Sequence, residues 1–179
     1  MNILALSGSL RSTSTNTGLL RTAIEEAPKN VNIEIADWSA VPIYNGDVEA
    51  EDGVPASVIA LADQMRGADG LLLSVPEYNF SIPGGFKNMT DWISRVEDQP
   101  FGGKPTAIMG AAASPMGTGR MQYELRKVLG ALNADLVLKP EVFVGLALSK
   151  FDEHGKFTDD AGRKFIGTLV EALVTKIRA

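Results

Sequence analysis

The chain has 179 residues, 45% of them hydrophobic and 22% charged, with no cysteine, a single histidine and a net charge of −5. That is enough for one domain with a substantial core, and it excludes a disulfide framework, thiolate chemistry and a histidine-rich metal site. It also removes the electrostatic case for binding nucleic acid or an anionic membrane surface.

"NILALS", Asn2 to Ser7, is a short apolar run ending in small residues and predicts a buried strand. The opening "MNILALSGSL" lacks the basic start of a signal peptide, and no apolar run approaches the roughly 20 residues of a membrane span. The cytoplasm is therefore the expected compartment.

"GSLRSTSTNTG", Gly8 to Gly18, follows at once. It is small and hydroxyl-rich, yet it has neither the Gly-Lys-Ser/Thr of a P-loop nor the Gly-x-Gly-x-x-Gly of a dinucleotide fingerprint. A helix beginning here leaves backbone N–H groups unpaired and carries partial positive charge, which attracts phosphate. Ser9, Ser14, Asn16 and Thr17 can donate to such a group, and Arg11 can add a charge-assisted, forked contact. A terminal monoester, close to a dianion, suits that arginine better than the pyrophosphate of a dinucleotide. The competing reading is that serine and asparagine cap the helix and Arg11 is solvated.

Asn16 to Ala27 predicts that helix, with Leu19, Leu20, Ala23, Ile24 and Ala27 on one face and Pro28 and Asn30 stopping it. "VNIEIAD" alternates as a second strand. Trp38 to Pro55 reads as a long loop, and "ASVIALADQMRGA" as a helix. "DGLLLSVP", Asp69 to Pro76, is the continuous apolar run of a strand covered on both faces.

"PEYNFSIPGGFKN", Pro76 to Asn88, is a loop stiffened by prolines and loosened by Gly84 and Gly85. It can offer a flat aromatic ligand an edge of backbone donors and acceptors, with Tyr78 and Phe80 as an apolar wall. Those rings could equally pack beneath the loop. Glu77 could cap a helix, form an ion pair or meet a ligand. A helix, "FKNMTDWISRV", and a fourth strand, "KPTAIMGAAAS", come next.

"AAASPMGTGR", Ala111 to Arg120, would let a ring approach closely. Gly117 and Gly119 could also be ordinary turn glycines, and Arg120 a surface charge. "GRMQYELRKVLGALNA" is helical, and "DLVLKPEVFVG" is a fifth strand open to a break at Pro140. His154 falls in a polar stretch and reads as a solvated loop residue. The last helix runs from about Asp159 to Arg178, with Phe165, Ile166, Leu169, Val170, Leu173 and Ile177 as its apolar stripe.

Strands alternating with helices argue a doubly wound parallel sheet. Five strands fit the flavodoxin-like order 2-1-3-4-5, a three-layer sandwich in a single domain over 1–179. Ligands of such sheets bind beyond the carboxyl ends of the strands, where the order reverses. That places a site among the loops after Ser7, Val75 and Ala112.

These loops carry a family resemblance. "SGSLRSTSTN" resembles the Gly-Ser-x-Arg-x-x-Ser-x-Asn signature of the NAD(P)H-dependent FMN reductases. "PEYNFSIPGGFKNMTDW" is similar to their Pro-Glu-Tyr-Asn-x-Ser-x-Pro-Gly-x-x-Lys-Asn segment, "VPIYNGDVE" to their Leu-Pro-x-Tyr-Asn-x-Asp, and "GTGRMQYELRKVL" to their Gly-Gly-x-Arg-x-Gln-x-x-Leu-Arg. The nearest look is to the bacterial quinone, chromate and azo-dye reductases. The resemblance implies FMN as cofactor, with NADPH or NADH as co-substrate and a small-molecule electron acceptor. By it, Ser9, Arg11, Ser14, Asn16 and Thr17 hold the FMN phosphate. Pro76, Glu77, Tyr78 and Asn79 run along the isoalloxazine, and Ser114 and Gly117 lie on its other side. It implies a homodimer or homotetramer with Tyr44, Asn45 and Trp92 near the subunit interface. Phe80 departs from the pattern, standing where a tyrosine is common. The rival reading is a flavodoxin-type electron carrier without NAD(P)H activity of its own.

Overall fold

The computed structural model describes Met1–Ala179. At its centre lie β1 (Asn2–Ser7) and β3 (Gly70–Ser74), parallel and in register from Ile3 opposite Gly70 to Ser7 opposite Ser74. Every residue of β3 is buried, as a strand covered on both faces requires. Side chains alternate across the sheet, so Leu71 and Leu73 enter one core while Leu72 enters the other.

β2 (Asn32–Ile35) flanks β1, and β4 (Pro105–Ala111) flanks β3. The order β2-β1-β3-β4-β5 is the expected one, and every pairing is parallel. The far edge differs from a continuous fifth strand. It is split into β5 (Asp135–Leu136), against the start of β4, and β6 (Val142–Val144), against its end. Pro140 lies between the two pieces and has no N–H to give the ladder.

Helices α1 (Thr15–Glu26) and α6 (Asp160–Ile177) cover one face. α3 (Ala56–Gly67), α4 (Gly84–Ile93) and α5 (Gly119–Ala131) cover the other. Two residues assigned to buried stripes, Ile24 and Phe165, lie at the margins of theirs and are exposed. The long segment Trp38–Pro55 also contains a helix, α2 (Gly46–Asp52). None of its residues is buried, so it carries no apolar periodicity that could announce it. Asn45 starts it, its side-chain oxygen accepting from Asp47 N at 2.9 Å.

Candidate active site

The loops after β1, β3 and β4 meet around a cleft of about 280 Å³. Gly8 allows the first two to close. A Cβ there would stand 2.7 Å from Val75 Cγ1 and 2.9 Å from Val75 Cα, so a side chain would force the loops apart. Trp38 braces the same turn from below, its Nε1 donating to the Ser7 carbonyl at 2.7 Å.

In the first loop, several polar side chains turn inward. Asn16 is buried and donates its amide to Ala111 O at 3.0 Å. Its oxygen accepts from Ala111 N at 3.0 Å and from Ser74 Oγ at 3.1 Å. One amide thus ties the start of α1 to β3 and β4. Thr17 donates its hydroxyl to Ser7 Oγ at 2.9 Å and lies outside the cleft lining. Ser14 caps α1, accepting from Thr17 N at 3.3 Å, which leaves its own O–H free to donate into the cleft.

These inward bonds leave a definite donor set facing out. The backbone N–H groups of Thr15 and Asn16, in the first turn of α1, find no acceptor within the chain. The hydroxyls of Ser9 and Thr15 make no hydrogen bond. Arg11 lines the same wall, exposed, with one 3.3 Å bond to Thr13 O. Unpartnered amides, free hydroxyls and one guanidinium at a helix N-terminus are what a phosphate dianion requires.

The second loop supplies Pro76, Glu77 and Tyr78 to the lining. Tyr78 and Ser81 exchange backbone bonds, both 3.0 Å, around Asn79 (φ 50°) and Phe80 (φ 66°). This is a two-residue hairpin with both central residues left-handed and no glycine, an arrangement most strained at the phenylalanine. Asn79 sits in this turn and outside the lining.

What holds the turn comes from α5. The Glu77 side chain is buried; its Oε1 accepts from Arg120 Nη1 at 2.5 Å and its Oε2 from Met121 N at 3.1 Å. It therefore both ion-pairs and caps α5, a helix whose Thr118 makes no side-chain cap bond. The Arg120 guanidinium stacks 4.0 Å from the centre of the Phe80 ring, and Ser81 donates its hydroxyl to Glu124.

Ala111, Ala112 and Ala113 of the third loop line the cleft, while Ser114 and Gly117 do not. Ser114 Oγ donates to Gly117 O at 3.2 Å, closing its own turn. Gly117 has φ +63°, and a Cβ on it would lie 2.9 Å from the Phe143 carbonyl carbon. It serves close packing against β6. The lining is completed by Thr15 and by Ala147 and Leu148 of the single-turn helix Ala147–Ser149. Leu148 is 84% exposed.

Of the residues assigned to a subunit interface, Trp92 is fully buried within this chain. Its Nε1 donates to Pro42 O at 2.9 Å, and its ring meets Tyr44 edge-on at 4.8 Å. It holds the segment that presents Tyr44 and the 81%-exposed Ile43. His154 is solvated, as expected.

The free donors at the N-terminus of α1 and the alanine-floored cleft beside Pro76–Tyr78 suit the phosphate and the flat ring of FMN. Residues 1–149 match the family model for NADPH-dependent FMN reductase. The chain is 45% identical over 178 residues to an NAD(P)H-dependent FMN reductase of Pseudomonas aeruginosa, covering 99% of this chain and 96% of the relative. It is 43% identical over 163 residues to a quinone reductase of Escherichia coli, covering 90% and 87% of the two chains. Among solved structures it resembles FerB of Paracoccus denitrificans, a flavoenzyme NAD(P)H:(acceptor) oxidoreductase, with a TM-score of 0.86 at 30% identity over 99% and 97% of the chains. Sequence, fold and cleft converge, and the chain belongs to the NADPH-dependent FMN reductase family, an oxidoreductase with FMN as its cofactor.

Proposed function

We propose that this enzyme takes hydride from NADPH or NADH and delivers electrons to a small acceptor of quinone, azo, chromate or flavin type. The observation that carries the reading is the set of unpartnered donors, Thr15 N, Asn16 N and the Ser9 hydroxyl, with the exposed Arg11 guanidinium beside them, at one end of a cleft floored by alanines.

FMN held here would supply the redox chemistry that couples the two substrates. The protein's part is to bind and orient. Ser9, Arg11, Ser14 and the first turn of α1 hold the phosphate. Asn16 and Thr17 act from behind, fixing the helix that presents the amides. Pro76, Glu77, Tyr78 and Asn79 form the ring's polar edge, where the backbone N–H groups of Glu77 and Asn79, unbonded within the chain, would favour added negative charge. Ala111–Ala113 keep the opposite wall low enough for a planar substrate to stack. Nicotinamide and acceptor use the same open side, so they visit in turn and the kinetics are ping-pong. Tyr44 and Asn45 of a second copy complete the wall in a homodimer or homotetramer.

Anaerobic addition of NADPH to the flavin-loaded protein tests this. Loss of the flavin's visible colour within the mixing time, followed by recovery on adding a benzoquinone, is the expected result. Retained colour with both NADPH and NADH would point to the electron carrier instead. Parallel double-reciprocal lines across a quinone series are expected for the ping-pong order; converging lines contradict it.

A further inference from the structure

Glu77 is a buried carboxylate in the cleft wall, and its only cationic partner is Arg120, which lies outside the lining. The Glu77 side chain is 4% exposed and that of Arg120 38%, so the pair runs from the dry wall to the solvent. Charges in such a wall act on the cleft with little screening. Hydride uptake brings two electrons and one proton into the cleft, a net gain of one negative charge, while the donor leaves as NAD(P)+. An unbalanced Glu77 would oppose that gain, and an unbalanced Arg120 would favour it.

We propose that the Glu77–Arg120 pair is a charge balance that sets the reduction potential of the bound flavin, with Arg120 as its positioning and neutralising residue. The reading rests on FMN occupying this cleft. Two contacts of Arg120 and one of its neighbour make it more than a surface charge. It neutralises the carboxylate at 2.5 Å, it stacks on Phe80 in the left-handed turn, and its neighbour Met121 donates to the same carboxylate. The carboxylate is the buried partner, so removing Arg120 leaves a charge in the dry wall uncompensated.

The test reads the midpoint potential of bound FMN by spectroelectrochemical titration in four variants. Arg120→Gln shifts it negative. Glu77→Gln, which keeps an oxygen for Met121 N, shifts it positive. The double variant returns towards the parent value, and Arg120→Lys, which keeps the charge, stays close to it. A pair that merely props the loop moves both single variants in the same direction and leaves the double variant worst; that result, or four equal potentials, overturns the proposal. Should the single variants release flavin, recovery of FMN affinity in the double variant shows the same coupling, and failure to recover refutes it. A parent protein that takes up no FMN refutes the flavin reading itself, whereas flavin uptake without opposed shifts refutes only the charge balance.

Discussion

Arg11 is the one cation lining the cleft, and its guanidinium makes a single weak bond to its own loop. It is therefore free to meet a phosphate. A hydrogen bond to a charged group contributes about 1.5–3 kcal/mol, so Arg11→Ala should weaken FMN binding by about 10- to 100-fold, read by fluorescence titration. Asn16 acts differently. Its amide satisfies both backbone groups of Ala111 and the Ser74 hydroxyl. Asn16→Ala leaves these buried groups unpaired and should cost about 1–3 kcal/mol in urea unfolding, before any effect on flavin. Both residues stand out in the sequence as polar positions after a buried strand. Their division of labour is not legible there, because which side chains turn inward depends on β3 and β4, some 60 to 95 residues away. Glu77 is a similar case. Its type and place mark it for attention, but only the packing of α5 decides that it pairs and caps.

The buried strands and long amphipathic helices were readable from period alone, since β1, β3 and the covering helices bury regular faces. Short, exposed elements were not, although Pro140 did mark the break in the edge strand. α2 buries nothing, and the far edge of the sheet divides where Leu138 and Lys139 leave the ladder before Pro140. The third loop shows the limit most clearly. Its small residues do line the cleft, but as Ala111–Ala113, while Gly117 is fixed by the approach of β6. Gly117→Ala must adopt a left-handed backbone and displace the Phe143–Gly145 segment. A left-handed non-glycine residue alone costs about 1–3 kcal/mol, and the thermal midpoint should fall accordingly, with flavin affinity falling as Ala113 shifts.

Across the whole protein, several carboxylates are held below their ordinary range. The Tyr44 hydroxyl and Arg95 do this for Glu49, Lys139 for Glu141, backbone N–H groups of the 152–156 turn for Asp152, and the first turn of α6 with Lys150 for Asp159. A depressed folded-state value adds stability that is complete above the unfolded value of about 4 and is lost as pH falls through the folded one. Urea midpoints should therefore be level near neutrality and drop below about pH 4. Asp159→Asn keeps the cap on α6 but removes one titrating charge, and should flatten that drop. The exposed Ile43, beside Tyr44, gives the proposed homo-oligomer a handle: Ile43→Glu should reduce the mass measured by light scattering towards that of one chain while leaving the circular dichroism unchanged.

The chain has two tryptophans, and they are placed very differently. Trp92, on α4, is buried in the core, whereas the Trp38 indole is bonded to Ser7 O directly beneath the loop that would hold the phosphate. Trp38 is thus a built-in optical reporter. Its emission overlaps flavin absorption at short range, so cofactor loading should quench it by energy transfer. Trp38→Phe should reduce the quench by the share this indole contributes, and Trp92→Phe should leave that share in place. With the parent protein, stopped-flow emission would then time the arrival and departure of the cofactor without any added label.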